Sequence, residues 1–135
     1  MPTILYIDDV LQALALRKSM LESQGYEVLT ASDGLRGLEM ARSHAIDAVL
    51  LDYDMPEMMG DEIAEILKRE HPQLPIIILT GHARDVPEML IRISDGCVEK
   101  GEDPAVLLST MQQVLKQSKP KPIKGVPPKQ ERKTG

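Results

Sequence analysis

Compact apolar runs alternate with longer amphipathic stretches along most of the chain. Ile4 to Ile7, Ala48 to Leu51 and Ile76 to Leu79 are runs with no charged residue inside them. Their shortness and lack of polar alternation predict strands buried on both faces. Glu27 to Ala31 and Cys97 to Glu99 complete a set of five predicted strands. Between them the apolar period lengthens. From Leu11 to Gln24, Leu14 and Leu21 stand seven apart and Leu16 and Met20 four apart, a helical spacing that Gly25 stops. Asp33 is placed to cap a helix reaching about His44, with Leu35 and Leu38 inward. Asp61 is placed to cap another that carries Ile63, Ile66 and Leu67 and ends at His71-Pro72. Asp85 to Ser94 reads as a weaker helix with Pro87 in its first turn, broken by Gly96. Asp103-Pro104 opens the last helix, striped by Leu107, Met111, Val114 and Leu115.

Five strands alternating with five helices predict βαβ units. The fold class is therefore α/β: a doubly wound, five-stranded parallel sheet with helices on both faces. In such sheets ligands bind beyond the carboxyl ends of the strands. The residues there form a consistent set. Strand one ends in Asp8-Asp9, strand three in Asp52 followed by Tyr53-Asp54, strand four in Thr80, and strand five runs into Lys100. Carboxylates gathered at one edge repel and raise one another's pKa unless positive charge compensates. Lys100 supplies one such charge, and an all-oxygen ligand set suits Mg²⁺ for more. A carboxylate, a divalent ion, an ammonium and a hydroxyl around one point form a constellation for phosphoryl transfer, with the carboxylate as nucleophile. Each piece alone has a plainer reading: Asp8-Asp9 as a helix cap, Asp54-Met55-Pro56 as a turn, Lys100 as a surface lysine. His82 lies near this edge, where an exposed loop histidine is its plainer reading.

Composition narrows the alternatives. At 135 residues the chain suits one domain with a tail. Aromatic residues make up only 2%, with no Trp or Phe, so the core is expected to be aliphatic and base stacking is disfavoured. The single Cys97 excludes an intramolecular disulfide and a multi-thiolate zinc site. No leader pattern and no membrane-length apolar run is present, which predicts a cytoplasmic protein without membrane insertion. No G-x-G-x-x-G or P-loop pattern occurs. The net charge of −5 is uneven: beyond Leu115-Lys116 the chain carries six basic side chains against Glu131, leaving the body near −10. The expected division is therefore a domain at 1–117 and a Lys/Pro-rich disordered tail at 118–135.

The strand-end residues resemble the receiver domain of bacterial response regulators, of the chemotaxis-regulator type, over about Thr3 to Leu115. The resemblance is carried by Ile7-Asp8-Asp9, Leu50-Leu51-Asp52-Tyr53-Asp54-Met55-Pro56, Met59-Gly60, Ile78-Leu79-Thr80-Gly81 and Val98-Glu99-Lys100. It implies a flavodoxin-like strand order of 2-1-3-4-5. It implies Asp52 as phosphoacceptor. Mg²⁺ would be held by Asp9 directly, Asp8 largely through water, Asp52 and the backbone carbonyl of Asp54. Lys100 would pair with the phosphoryl oxygens, and Thr80 would turn inward to bond them. The donor would be a phosphohistidine on a sensor histidine kinase or histidine phosphotransfer protein. The domain would assist its own phosphorylation and dephosphorylation rather than act as an enzyme on other substrates.

Two departures and one variable position stand out. Cys97 occupies the switch position where the family often keeps an aromatic ring; it reads as a buried, inert small hydrophobe, with a redox role as the alternative. Gly101 stands where a proline usually follows the lysine, which predicts a trans bond. Asp54 lies two past the phosphoacceptor, where a carboxylate can steer attacking water. No output domain or DNA-reading helix fits after the last helix, so the chain reads as a stand-alone receiver or a fragment, with homodimerisation left open. The alternatives are a receiver-like interaction module that works without phosphorylation and an aspartate-nucleophile phosphohydrolase of the haloacid dehalogenase type. Pro56, the mid-chain motif and the lack of room for a cap domain weigh against the latter.

Overall fold

The computed structural model describes residues 1–55 and 60–117. Pro56 and Met59 of the motif, and the predicted tail at 118–135, lie outside the described residues. The strands are β1 (Thr3–Ile7), β2 (Glu27–Ala31), β3 (Ala48–Asp52), β4 (Ile76–Thr80) and β5 (Gly96–Glu99). The α-helices are α1 (Leu11–Ser23), α2 (Gly34–Ser43), α3 (Gly60–Glu70), α4 (Glu88–Ile93) and α5 (Pro104–Gln117). All strand pairs are parallel, in the order β2-β1-β3-β4-β5. The fold class and strand order are as expected from the sequence.

The central strands are apolar on both faces because both faces are covered. No alternation of buried and exposed positions occurs there: every residue of β3 and β4 is buried. Leu5, Ile7, Val49, Leu51, Ile76 and Ile78 pack toward α2, α3 and α4, among Leu38, Ile63, Leu67 and Leu90. Ile4, Tyr6, Leu50, Ile77 and Leu79 pack toward α1 and α5, among Leu14, Leu21, Leu107 and Met111. Successive strand residues thus feed opposite layers. The core is not purely aliphatic: Tyr6 is fully buried and Tyr26 nearly so.

Several local expectations need correction. Leu35 is 68% exposed, because Gly34, Gly37, Leu38 and Ala41 already form the inward face of α2. Leu16 is also exposed, since it lies about 200° around α1 from Leu14. Asp61 does not cap α3: the helix already includes Gly60, and Asp61 sits in its first turn, accepting from the N–H of Glu62. Pro87 is the N-cap of a six-residue α4 rather than part of it, after a 3₁₀ turn at Ala83–Asp85. The residue before Pro87 is held extended, which separates the two. Gly96 begins β5 instead of breaking a helix. A Cβ there would lie 2.9 Å from Thr110 Cγ2 of α5.

Other local signals are met by the structure. Asp33 Oδ1 accepts from the N–H of Arg36 at 2.8 Å, and Asp103 Oδ1 from that of Ala105 at 2.9 Å. Gly25, at φ 96°, closes α1: its N–H reaches the carbonyl of Glu22 and the N–H of Tyr26 that of Leu21. This is the paired bonding of a Schellman end, with Leu21 and Tyr26 in one apolar cluster.

Gly60 bears directly on the carboxyl end of β3. A Cβ there would stand 2.9 Å from Tyr53 Cα, on the backbone next to Asp52. Backbone cannot yield as a side-chain tip can. Gly60→Ala is expected to lower stability by about 1–3 kcal/mol, read as a shifted denaturant midpoint at unchanged slope.

Candidate functional site

Parallel pairing collects the strand ends. Ile7 pairs with Leu51, Asp52 with Leu79, and Thr80 with Glu99, so Asp8, Asp52, Thr80 and Lys100 fall along one edge. The main-chain bonding continues past the strands: the N–H of Asp8 bonds Ala31, that of Tyr53 bonds Leu79, and that of Lys100 bonds Thr80. Asp8, Asp52 and Thr80 therefore project from strands flanked on both sides, and Lys100 follows the edge strand β5, tied to β4.

Asp52 is the centre. It is 1% exposed. Its Oδ1 accepts from Lys100 Nζ at 2.9 Å and from the N–H of Asp54 at 3.0 Å. Its Oδ2 is buried with no hydrogen-bond partner. Burial pushes its carboxyl up to about 6, and the neighbouring Asp8 adds to the rise, against the opposing pull of Lys100 and the Asp54 N–H. Lys100 moves the other way. Burial alone would favour its neutral form, but the bonds and charges of Asp52 and Asp54 keep its proton on, above the ordinary lysine range. One ammonium is therefore held firmly, yet it does not fully restore Asp52 to ordinary acidity.

Asp8, Asp9 and Asp52 each bring one carboxylate oxygen within 4.8 Å of the others. Asp9 is exposed, whereas Asp8 is completely buried. Both oxygens of Asp8 are occupied: Oδ2 by the Tyr6 hydroxyl at 2.7 Å and Oδ1 by the N–H of Val10 at 3.0 Å. Arg17 Nη1 in turn donates to Tyr6 Oη at 2.9 Å and lies 3.9 Å from Asp8. Burial, and then the Asp8 bond, raise the Tyr6 hydroxyl far above its ordinary value, so it remains a donor. Asp8 is thus a braced carboxylate and not a cap: Val10, the N-cap residue of α1, makes no side-chain capping bond. The unpartnered Asp52 oxygen beside two further carboxylates fits a small, hard divalent ion such as Mg²⁺.

Asp54, Thr80 and Gly81 form the opposite wall. Asp54 Oδ2 accepts from the N–H of Gly81 at 2.9 Å and pairs with Lys100 at 3.2 Å, while Oδ1 is 3.4 Å from Thr80 Oγ1. Partial burial works against ionisation of Asp54, but the Gly81 and Lys100 bonds outweigh it and hold its carboxyl below the usual range. Thr80 is buried and its Oγ1 also accepts from the N–H of His82 at 3.2 Å. Glu99 Oε2 accepts from the N–H of Ala83 at 2.8 Å and pins the loop that follows β4.

The structure brings together every side chain singled out at the strand ends except Cys97. That thiol lies three residues before Lys100, half-buried rather than buried, packed against the layer of α2, α3 and α4. Burial raises its pKa, and Glu99 and Glu102 raise it further, which favours the unreactive thiol. His82 has no side-chain role among these contacts; only its backbone takes part. All described peptide bonds are trans, including Lys100-Gly101. Sequence reasoning missed Tyr6, Arg17 and the Gly81 N–H. The signal for Tyr6 was its place two residues before Asp8 on the same strand face.

Known proteins share this fold. The family profile described as response regulator receiver domain matches residues 4–112. The chain belongs to the response regulator receiver family and is a receiver domain of two-component systems. The polar-differentiation response regulator DivK of Brucella ovis is 32% identical over 97 residues, covering 70% of this chain and 78% of DivK. The transcriptional regulatory protein GlrR of Escherichia coli is 32% identical over 120 residues, covering 87% of this chain and 27% of GlrR. The chain thus spans about a quarter of that longer relative. Response regulator TrrA of Thermotoga maritima, solved in complex with Mg²⁺-BeF, superposes with a TM-score of 0.80 at 29% identity, covering 84% of this chain and 99% of that one. TrrA solved with histidine kinase ThkA gives 0.79 at 30% identity, with 85% and 99% covered. Among the described residues no helix is long and apolar enough to cross a membrane.

Because the folded-state pKa of Asp52 is raised, the folded protein takes up a proton more readily than the unfolded chain. The stability this gives is full below about pH 4 and is lost as pH rises through about 6. In metal-free buffer Asp52→Asn should melt a few degrees above wild type at pH 7.5, a gap that closes below about pH 4. Tyr6→Phe strips the donor from buried Asp8 Oδ2. Its expected cost is about 1–3 kcal/mol by denaturant unfolding, with Arg17→Met costing less.

Proposed function

We propose that Asp52 accepts a phosphoryl group from a phosphohistidine on a sensor histidine kinase or histidine phosphotransfer protein, and that Mg²⁺ is the cofactor. The observation that carries this is the buried Asp52 carboxylate, with one oxygen on Lys100 and the other without a partner beside Asp8 and Asp9. The ligands assigned to the metal are Asp8, Asp9, Asp52 and the backbone carbonyl of Asp54, with Asp8 acting largely through water because its own oxygens are occupied. When bound, Mg²⁺ supplies the positive charge that an incoming phosphoryl group needs at this acidic edge. TrrA, which was solved both with Mg²⁺-BeF and with a histidine kinase, supports the cofactor and the partner class.

In this reading the chain's own groups divide the work. Lys100 and Thr80 stabilise the phosphoryl oxygens. An oxygen of Asp52 bonds to phosphorus as the phosphorus–nitrogen bond breaks, the electron pair returns to the imidazole, and solvent supplies its proton. The product is an acyl phosphate on Asp52. The domain thereby assists its own phosphorylation, and water reaching the same phosphorus reverses it. Thr80 and Cys97 are the switch positions. Cys97 gives the moving threonine no ring to draw in, so the signal passes through the backbone after Thr80. The unit at 1–117 is the folded switch in a cytoplasmic setting, and its output is altered binding to a partner protein rather than direct contact with DNA.

Incubation with Mg²⁺ and a small phosphodonor, followed by intact mass, tests this. A single phosphoryl adduct is expected, absent in Asp52→Asn and without Mg²⁺. Asp9→Asn should raise the Mg²⁺ needed for half-maximal uptake by at least about tenfold. Many turnovers of donor per protein would instead mark a phosphohydrolase. No adduct, with no amide shifts on adding beryllofluoride, would mark a module that works without phosphorylation.

A further inference from the structure

Resting on the reading of Asp52 as phosphoacceptor, we infer that the Asp54 carboxylate is an internal occupant of the phosphoryl cradle, which a phosphoryl group on Asp52 must evict. Three donors from the carboxyl ends of two strands, β4 and β5, converge on it: the Gly81 N–H at 2.9 Å, Lys100 Nζ at 3.2 Å and Thr80 Oγ1 at 3.4 Å. Lys100 simultaneously holds Asp52 Oδ1 at 2.9 Å. The two carboxylates therefore share one ammonium. A phosphoryl group on Asp52 needs the same donors and carries like charge, so it and Asp54 cannot occupy them together.

Eviction is feasible without backbone movement. The Asp54 side chain is 42% exposed, so solvent can receive it. Its N–H bonds Asp52 Oδ1 at 3.0 Å and keeps the main chain in register as the side chain turns away. Asp54 thus does more than border the path of attacking water. It pre-engages the Thr80-Gly81 segment and Lys100 before phosphorylation. This weakens phosphoryl uptake and reduces the change that uptake produces at Gly81. Asp54 acts here as a positioning residue, through donors it holds, and not on the reacting phosphorus.

Beryllofluoride titration at saturating Mg²⁺ tests the competition, with Mg²⁺ affinity measured separately for each protein. Asp54→Ala should bind beryllofluoride about tenfold more tightly than wild type; a charge-assisted bond is stronger than this, but partial exposure discounts it. Asp54→Asn keeps an acceptor and loses the charge, so it should fall between the two. The Gly81 amide should move further on beryllofluoride addition in Asp54→Ala than in wild type. Folded amide spectra are required of each variant, and Asp54→Asn alone suffices if the alanine protein unfolds. Equal affinities and equal Gly81 shifts would overturn the competition while leaving Asp52 as acceptor. Failure of every protein, wild type included, to take up beryllofluoride would overturn both.

Discussion

Lys100 stands between two carboxylates at the edge of a parallel sheet, and the rest of the site is arranged around that shortage of positive charge. Asp52 cannot escape into solvent, since β3 is buried along its whole length. Nor can the lysine serve it alone, because Asp54 draws on the same Nζ. A buried anion with half a cation and one unbonded oxygen is costly as it stands. A divalent cation beside Asp8 and Asp9 would lower that cost. Asp8, equally buried, draws on its own donors instead: Tyr6, which Arg17 bonds in turn, and the N–H of Val10.

This charge arrangement depends on the architecture. Only parallel strands deliver four carboxyl ends to one edge, and only a sheet covered on both faces buries them deeply enough to perturb Asp52. Gly60 shows how closely the layers set the site. Its missing side chain lets α3 approach the Tyr53 backbone, one residue from Asp52.

Fold and site were legible in the sequence to different depths, for physical reasons. Strand ends could be read because a run such as Ala48-Val-Leu-Leu-Asp52 breaks sharply from apolar to charged, and parallel topology does the rest. Helix faces were less legible where Leu sits on an exposed side. Leu16 and Leu35 follow apolar chemistry without following the inward stripe. The short α4 was blurred because Pro87 is compatible with both a first turn and a cap. Tyr6 was hidden by its apolar ring, which satisfied the strand pattern and masked the hydroxyl that serves Asp8. The Gly81 N–H was invisible in principle, since a backbone donor carries no residue signature.

The missing ring at Cys97 and the tie from Asp54 bear on one another. Where a bulky side chain reports the threonine's position, the movement is read by packing. On the proposed switch, a half-buried thiol at Cys97 would report little through packing, and hydrogen bonds would have to do more. Those bonds exist. Thr80 Oγ1 is bonded by the N–H of His82, and Glu99 Oε2 by that of Ala83, at the start of the 3₁₀ turn that leads to the six-residue α4. A helix that short has little intrinsic stability and depends on what holds its ends. The segment from Thr80 to Ala83 thus joins the acidic edge to the least self-sufficient helix of the fold. Asp54 grips that segment at Gly81. A change of charge around Lys100 would therefore reach the backbone from Thr80 to Ala83 through Asp54.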